Sequence, residues 1–287
     1  MRIRLGYEIA VTVPAPTPMV LMLNVRPEVT ARLSRPDTPF LFPDVETTTY
    51  TDTFGNTCVR LVAPPGQFTM SADTILEDDG LPDPINTDAL QIPIEDLPSE
   101  SLQFLLASRY CEVDLLSQFA WDNFGNTRPG WERVQAVNTW AHQHVMFGYH
   151  HARSTKTAMD VFNEKTGVCR DYQHLAVTLC RALGIPARYA TGYLGDIRLP
   201  VSASPMDFSA WYQVYLDNQW WDFDARHNKP FIGRTLMAVG RDAADVALMT
   251  TFGAHTLDKF IVITDEIPEN EPDATEAAWS GLTPDKR

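Results

Sequence analysis

The sequence predicts an α+β protein in which an N-terminal antiparallel β-sandwich is followed by a core that mixes helices with a sheet. The first third of the chain is rich in proline and in short β-branched runs, whereas helical periodicity dominates only later. With 287 residues and 44% hydrophobic content, the chain can form two ordinary domains. We therefore expect a sandwich over residues 1–95, a core over 96–266 and a tail over 267–287.

The sandwich is predicted from four short runs of strand-forming residues that are separated by turns. These runs cover residues 7–13, 19–25, 47–53 and 58–63. The segment Phe54-Gly55-Asn56 is typical of a turn between two strands, and this spacing favours antiparallel pairing. Residues 80–100, rich in aspartate and proline, are expected to cross the surface as a linker.

The core begins with helical segments, and the chain ends in a polar stretch. Short helical pieces are expected at 101–107 and 115–119, and a longer helix at 131–146 follows a turn that contains Pro129 and Gly130. Residues 267–287 are acidic, contain proline and are weakly apolar, which predicts a disordered tail.

A single cysteine stands at the start of the most strongly periodic helix. Apolar residues recur with helical spacing at positions 172, 175, 176, 179, 180 and 183. Gly184 and Pro186 then end the helix. Cys169 lies in the first turn, where the helix dipole and unpaired N–H groups favour an anion. We therefore expect the pKa of this thiol to lie below its free value of about 8.5.

The segment after this helix predicts a β-hairpin. Residues 210–216 and 219–225 have strand character, and Asp217-Asn218 is a suitable two-residue turn. This loop places Leu216 opposite Gln219. The same register makes Ser209 and Asp224 diagonal neighbours on one face, within reach of longer side chains.

Five motifs occur in an order that resembles the bacterial transglutaminase-like superfamily of cysteine enzymes. They are Gly-Val-Cys-Arg-Asp at 167–171, Arg-Ala-Leu-Gly-Ile-Pro-Ala-Arg at 181–188, Asp-Phe-Ser-Ala-Trp at 207–211, Trp-Asp-Phe-Asp at 221–224 and Gly-Arg-Asp-Ala-Ala-Asp-Val at 240–246. The resemblance as a whole covers about residues 131–264. The resemblance implies a papain-like, transglutaminase-like catalytic core with a Cys, His and Asp triad.

The resemblance assigns roles to several residues and also shows one departure. Cys169 matches the nucleophile and Asp224 the third member of the triad, whereas Ser209 occupies the position of the histidine. Tyr149 resembles an aromatic residue that assists oxyanion binding in relatives, and Trp211 belongs to the motif that borders the substrate groove. The backbone N–H of Cys169 would be a second oxyanion donor.

The serine at position 209 leaves the identity of the base open. A serine hydroxyl is not basic enough to take a thiol proton near neutral pH. His227 is the preferred replacement, because it follows Asp224 by three residues at a point where the strand is expected to end. His150 and His151 are weaker alternatives. His174 is expected to be a hydrogen-bonded structural residue, and His142 and His144 to be surface or core residues.

Three functional classes therefore remain open from the sequence. The first is an enzyme that performs cysteine-dependent acyl transfer on an amide or peptide bond, with hydrolysis favoured over transamidation. The second is a catalytically impaired peptide-binding or scaffold protein, which Ser209 motivates. The third is an interaction protein whose thiol senses oxidants.

Composition narrows the partners and the location. The net charge of −14 argues against a nucleic-acid partner, and a peptide or protein amide is the expected substrate. The sequence predicts no metal or other cofactor, because its four cysteines form no Cys-x-x-Cys pair and no calcium-loop motif occurs. Free cysteines without an export signal or a membrane span indicate a reducing cytoplasm. Oligomeric state stays open.

Overall fold

The structure is a computed structural model that describes residues 1–198 and 206–268. It consists of two four-stranded antiparallel sheets that enclose one apolar interior, beside a core of helices and a third four-stranded sheet. An α+β architecture with an N-terminal sandwich is thus confirmed. Among the described residues, no helix combines the length and apolar character that crossing a membrane would require.

The two sheets of the sandwich are built mainly from the first 77 residues. The N-terminal strands are β1 (Arg2–Val13), β2 (Thr17–Leu21), β3 (Phe40–Phe42), β4 (Thr47–Thr51), β5 (Thr57–Ala63) and β6 (Gly66–Glu77), with a short helix α1 (Pro27–Thr30) after β2. Strand β1 alternates inward apolar residues with residues of the outer face and pairs along its length with β6. The four strands expected here are all present, with shifted ends.

Two strands from the end of the described chain complete this sandwich. They are β13 (Met249–Thr251), which pairs with β2, and β14 (Thr256–Ile267), which pairs with β1 from Arg2 opposite Ile267 to Thr12 opposite Thr256. The sheet orders are therefore β14-β1-β6-β3 and β13-β2-β5-β4. Residues 249–267, which we expected to belong to the core or the tail, lie in the sandwich sheets instead, because long-range pairing satisfies the backbone groups of β1 and β2. The rest of the expected tail, 269–287, lies outside the described residues.

The core places one buried helix between a layer of helices and a sheet. Its helices are α2 (Ser99–Leu102), α3 (Val113–Phe124), α4 (Trp131–His144), α5 (Ala158–Glu164) and α6 (Cys169–Ala182). Its strands are β7 (Met146–Phe147), β8 (Thr166–Gly167), β9 (Ala187–Tyr193), β10 (Ser209–Leu216), β11 (Gln219–Phe223) and β12 (Thr235–Gly240). Helix α6 packs against α3, α4 and α5 on one side and against β9 and β10 on the other.

The predicted hairpin has the predicted register. Tyr212 pairs with Phe223 and Leu216 with Gln219, and both Asp217 and Asn218 have positive φ, as a two-residue hairpin turn of this type requires. The sheet order is β11-β10-β9-β12. The ladder stops at Phe223, so the chain is free to turn immediately after it.

The sandwich and the core share apolar contacts. Tyr193, Phe208 and Met237 of the core belong to the same buried cluster as Leu5 and Met70 of the sandwich. The division at residue 95 into two domains stays a prediction.

Candidate active site

Cys169 is the first residue of α6, and the local sequence explains its position. The carboxylate of Asp171 accepts a hydrogen bond from the N–H of Val168 at 3.0 Å and so caps the helix start. Gly167 is needed because a Cβ there would lie 2.7 Å from that of Asp171. Arg170 pairs with Asp171 at 3.1 Å. The segment Gly-Val-Cys-Arg-Asp thus caps the helix and places a thiol in its first turn.

Cys169 lines a cavity that is open to solvent. Six other residues of its lining are Tyr149, Asp207, Ser209, Arg226, His227 and Phe231. The expectation of a lowered pKa is wrong for the structure as it stands. Burial raises the pKa of Cys169 above its ordinary value of 9.0, and this effect exceeds the lowering by the charge of Arg226 and by a backbone N–H. The helix start alone therefore does not ionise the thiol.

Asp224 lies in the turn that follows β11 and is 3% exposed. Its Oδ1 atom accepts hydrogen bonds from the backbone N–H groups of Arg226 at 3.0 Å and His227 at 3.1 Å. Burial alone would raise the pKa of Asp224, but the hydrogen bonds and charge of His227, together with the charge of Arg234, outweigh it and hold the pKa below 3.8. The buried side chain is therefore a carboxylate at neutral pH.

His227 pairs with this carboxylate. Its Nδ1 atom lies 2.8 Å from Asp224 Oδ2, so the carboxylate accepts from Nδ1–H and leaves Nε2 as the other ring nitrogen. The N–H of Asn228 donates to the carbonyl of Asp224 at 2.8 Å, which closes a turn over these residues. Strand parity would have placed His227 on the opposite face, but the turn returns it to the side of Asp224. The imidazole is 25% exposed and borders the same cavity as Cys169.

A buried glutamine joins the cysteine helix to the aspartate turn. Gln173 lies one turn after Cys169 on α6 and donates through Nε2 to Asp224 Oδ1 and to the carbonyl of Ala210, both at 3.1 Å. Its Oε1 accepts from the N–H of Ala225 at 3.1 Å. Sequence reasoning missed this residue. Its spacing of four from Cys169 was the available signal, because residues at i and i+4 share a helix face.

Ser209 begins β10 and lines the cavity, where the resemblance places a histidine. It is 8% exposed and pairs with Gly192 of β9. The ladder with β11 ends at Tyr212 and Phe223, so the diagonal placement of Ser209 beside Asp224 stays a prediction. The Asp224 carboxylate bonds to His227.

Tyr149 and Trp211 occupy different environments, although both were expected at the groove. Tyr149 is 51% exposed in a short turn before α5 and lines the cavity with Cys169. Trp211 is fully buried and does not border that cavity. Its Nε1 donates to Asp222 Oδ1 at 2.7 Å and its ring packs under the guanidinium of Arg234.

The remaining candidate histidines are absent from the described lining of the cavity that Cys169 borders. His174 is buried, its Nε2 accepts from the N–H of Ala243 at 3.1 Å, and burial holds its pKa well below 6.5, which agrees with a structural role. The rings of His150 and His151 lie 3.9 Å apart and do not border the cavity. His142 and His144 bond to the carbonyls of Arg226 and Phe162. Among the described residues that line the cavity, the histidine is His227.

Comparison with known proteins agrees with this arrangement. The sequence pattern of the transglutaminase-like superfamily matches residues 119–225, a range that includes Cys169, Ser209 and Asp224. A crystal structure of a proposed cysteine protease from Cytophaga hutchinsonii superposes with a TM-score of 0.80 and 28% sequence identity, over 95% of this chain and 92% of that one. Residues 119–225 therefore form a transglutaminase-like domain.

A second relative is similar in sequence over most of the chain. The uncharacterized protein ML0607 of Mycobacterium leprae is 25% identical over 228 residues, which are 75% of this chain and 80% of that protein. The match of residues 119–225 ends just before His227, so the superfamily pattern does not extend to this imidazole.

Proposed function

We propose that the protein is a cysteine hydrolase that cleaves an amide or peptide bond through a thioester at Cys169. One observation carries the proposal: the Asp224–His227 pair, 2.8 Å apart, borders the cavity that the Cys169 thiol also faces. A nucleophile and a base oriented by a carboxylate are the parts that covalent acyl transfer needs. The general cysteine-dependent character agrees with the superfamily and with the protease named in the similar structure.

In the first half-reaction, His227 Nε2 takes the proton of the Cys169 thiol and the sulfur attacks the carbonyl carbon. The C=O bond opens to an oxyanion, and the backbone N–H of Cys169 and the Tyr149 hydroxyl are the proposed donors to it, since both residues line the cavity. The C–N bond then breaks, and the amine leaves with the proton that His227 carries. The product is a thioester, and the enzyme has returned its proton.

In the second half-reaction, water replaces the amine. His227 takes a proton from water, the hydroxide attacks the thioester, and the C–S bond breaks to give a carboxylic acid and the thiol. Hydrolysis is favoured over transamidation because the cavity is open to solvent and no second channel for an acceptor amine was apparent in the sequence. A peptide or protein amide is the proposed substrate class.

A second function is favoured by two specific observations. Ser209 stands where relatives carry a histidine, and burial raises the pKa of Cys169. Both observations are those expected of a protein that binds peptides in the cavity without hydrolysing them. We keep this scaffold function as the competing proposal.

Turnover assays on defined variants separate the two proposals. A panel of peptidyl coumarin amides would be incubated with wild type, Cys169→Ala and His227→Ala, and the free amine and any acyl-enzyme would be measured by fluorescence and mass spectrometry. The enzyme proposal expects a mass increase on Cys169 in the wild type and a loss of about 10²- to 10⁴-fold in turnover in His227→Ala. His255→Ala is the matched control, because His255 is exposed and its hydrogen bond is to Thr251. Both residues are distant in sequence from Cys169.

The same assay tests hydrolysis against transamidation. With added hydroxylamine, a thioester would be captured as the hydroxamate. Without hydroxylamine, hydrolysis leaves the carboxylic acid as the product. Peptides that bind with equal affinity to wild type and Cys169→Ala, without turnover in either, would establish the scaffold function and reject the enzyme.

We also propose the reducing cytoplasm as the location. All four cysteines are free thiols, and Cys58, Cys111 and Cys180 are buried. Fractionation of the native cells tests this proposal, and recovery of the protein outside the cytoplasm would contradict it.

A further inference from the structure

Arg226 is held in place at three points beside the proposed catalytic pair. Its backbone N–H donates to Asp224 Oδ1 at 3.0 Å, and its carbonyl lies 2.8 Å from His142 Nδ1. Its guanidinium carbon lies 3.9 Å from the centre of the Phe147 ring. A cation at this distance over an aromatic face is attracted by the ring, which restricts an otherwise flexible side chain.

The ring that holds Arg226 is itself fixed next to the start of α6. Phe147 pairs with Gly167 in the two-residue parallel ladder of β7 and β8, and the N–H of Gly148 donates to the carbonyl of Gly167 at 3.0 Å. Gly167 precedes Cys169 by only two residues. This ladder therefore holds the guanidinium near the start of α6, and Arg226 and Cys169 line one cavity.

The charge of Arg226 is not neutralised by a close partner. Within residues 1–198 and 206–268, no side chain forms an ion pair or hydrogen bond with its guanidinium. Arg170 differs, because it is adjacent to Cys169 but pairs with Asp171 at 3.1 Å. The other titratable side chains that line the cavity are Tyr149, Asp196, Asp207 and His227.

The charges around the thiol act in opposite directions. Among the charged groups, that of Arg226 is the largest influence lowering the pKa of Cys169, whereas Asp207 and Asp224 raise it. Burial raises it further. Removal of Arg226 would thus leave a buried thiol with two carboxylates nearby and no lysine or arginine among the described residues that line the cavity.

We propose that Arg226 supplies the positive charge that stabilises the Cys169 thiolate and the oxyanion of the acyl intermediate, in the place of the imidazolium that Ser209 cannot provide. This inference rests on the proposed function of Cys169. An arginine stays charged at every pH at which the protein is folded, and it cannot accept a proton. Arg226 therefore acts only as a fixed charge, and proton transfer is left to His227.

The test measures how Cys169 reactivity depends on pH in matched variants. Wild type, Arg226→Gln, Arg226→Lys, Arg170→Gln and His227→Ala would be alkylated with iodoacetamide, a neutral reagent, from pH 5 to pH 10. Labelling of Cys169 would be followed by mass spectrometry of the intact protein and its peptides. Iodoacetamide reports the thiolate fraction and needs no substrate.

The expected pattern separates a fixed charge from a structural role. Arg226→Gln is expected to move the midpoint of alkylation to higher pH and to slow labelling at pH 7 by about tenfold, because a lost opposite charge costs on the order of one pH unit. Arg226→Lys should recover much of the wild-type profile. Arg170→Gln removes the same charge from a paired arginine and should leave the midpoint near wild type, whereas His227→Ala measures what the imidazole adds to it.

Failure of this inference is distinguishable from failure of the proposed function. Equal midpoints for wild type and Arg226→Gln, with both folded by circular dichroism, would overturn the role of Arg226 even if amide turnover is lost in His227→Ala. Absence of turnover in the wild type would reject the enzyme, while the alkylation profiles still report on Arg226. If Arg226→Gln does not fold, Phe147→Leu provides the second test, since it releases the guanidinium and should raise the midpoint without removing a charge.

Discussion

Gln173 donates to the carboxylate of Asp224 at 3.1 Å across the interface between α6 and the turn after β11. Both side chains are buried, and the amide of Gln173 also accepts from the N–H of Ala225. The helix that carries the nucleophile and the turn that carries the base are therefore joined by one side chain. A change in this bond should alter the relative placement of Cys169 and His227.

Replacing Gln173 with leucine tests this connection. Gln173→Leu leaves Asp224 with one donor fewer and the N–H of Ala225 without an acceptor, so we expect the free energy of unfolding to fall by about 1–3 kcal/mol. Amide turnover per folded molecule should fall with little change in KM. Urea unfolding and steady-state kinetics measure both.

The matched control is Gln118→Leu, because Gln118 is exposed and bonds only to Asp122 on its own helix. A Gln173→Leu variant as stable and as active as this control would show that the amide bridge is dispensable.

Ser209→His restores the histidine that relatives carry. The sequence predicts that position 209 lies diagonal to Asp224, whose carboxylate already accepts from His227. We therefore expect the new imidazole to compete with His227, and to raise turnover and thiolate fraction most in the His227→Ala background. Kinetics and the pH profile of alkylation would be compared for the four combinations, with Ser209→Asn as the neutral control.

If Ser209→His changes neither turnover nor the pH profile of alkylation in either background, the predicted diagonal pairing of positions 209 and 224 is wrong.

The carboxylate of Asp224 should make stability depend on pH in the acidic range. Because its folded-state pKa lies below 3.8, its contribution is present above the unfolded-state pKa and is lost as pH falls through the folded-state value. Asp224→Asn removes this contribution, so the unfolding free energies of wild type and variant should differ at neutral pH and converge as pH falls below about 3.8.

Chemical denaturation at several pH values measures this convergence, with Asp258→Asn as a control whose exposed side chain bonds Thr12. A constant difference between wild type and Asp224→Asn across the range would mean that Asp224 does not titrate as described.

Trp211→Phe distinguishes a supporting residue from a groove residue. The indole donates to Asp222 and packs under Arg234 but does not border the cavity. We expect the unfolding free energy to fall by about 1–2 kcal/mol through the lost hydrogen bond, while KM stays near the wild-type value. Trp121→Phe on an exposed helix face is the control. A severalfold rise in KM without loss of stability would return Trp211 to the substrate groove.

The features that the sequence predicts well are those encoded locally. The periodicity at 172–183 corresponds to α6, and the turn residues Asp217 and Asn218 fix the hairpin register. The placement of Ser209 beside Asp224 stays a prediction, because the ladder ends before Asp224. His227 was preferred on a short-range argument, since the strand ends before it and the turn brings it back to Asp224.

Long-range and environmental features were not available from these patterns. The pairing of β14 with β1 joins residues more than 240 positions apart, and no local spacing encodes it. The raised pKa of Cys169 depends on how much protein surrounds the thiol, which helix position does not reveal. Gln173 and Arg226 act through contacts with other elements, so their residue types gave no distinct signal.

The pairing of β1 with β14 also has a consequence for synthesis on the ribosome. Strand β1 emerges first, yet one of its two edges stays open until Ile267 has left the exit tunnel. The same is true of β2, whose partner β13 is also translated late. An unpaired strand edge can pair with other chains, so nascent and truncated chains are the species most exposed to aggregation. Rapid completion of translation shortens the time during which these edges are unpaired.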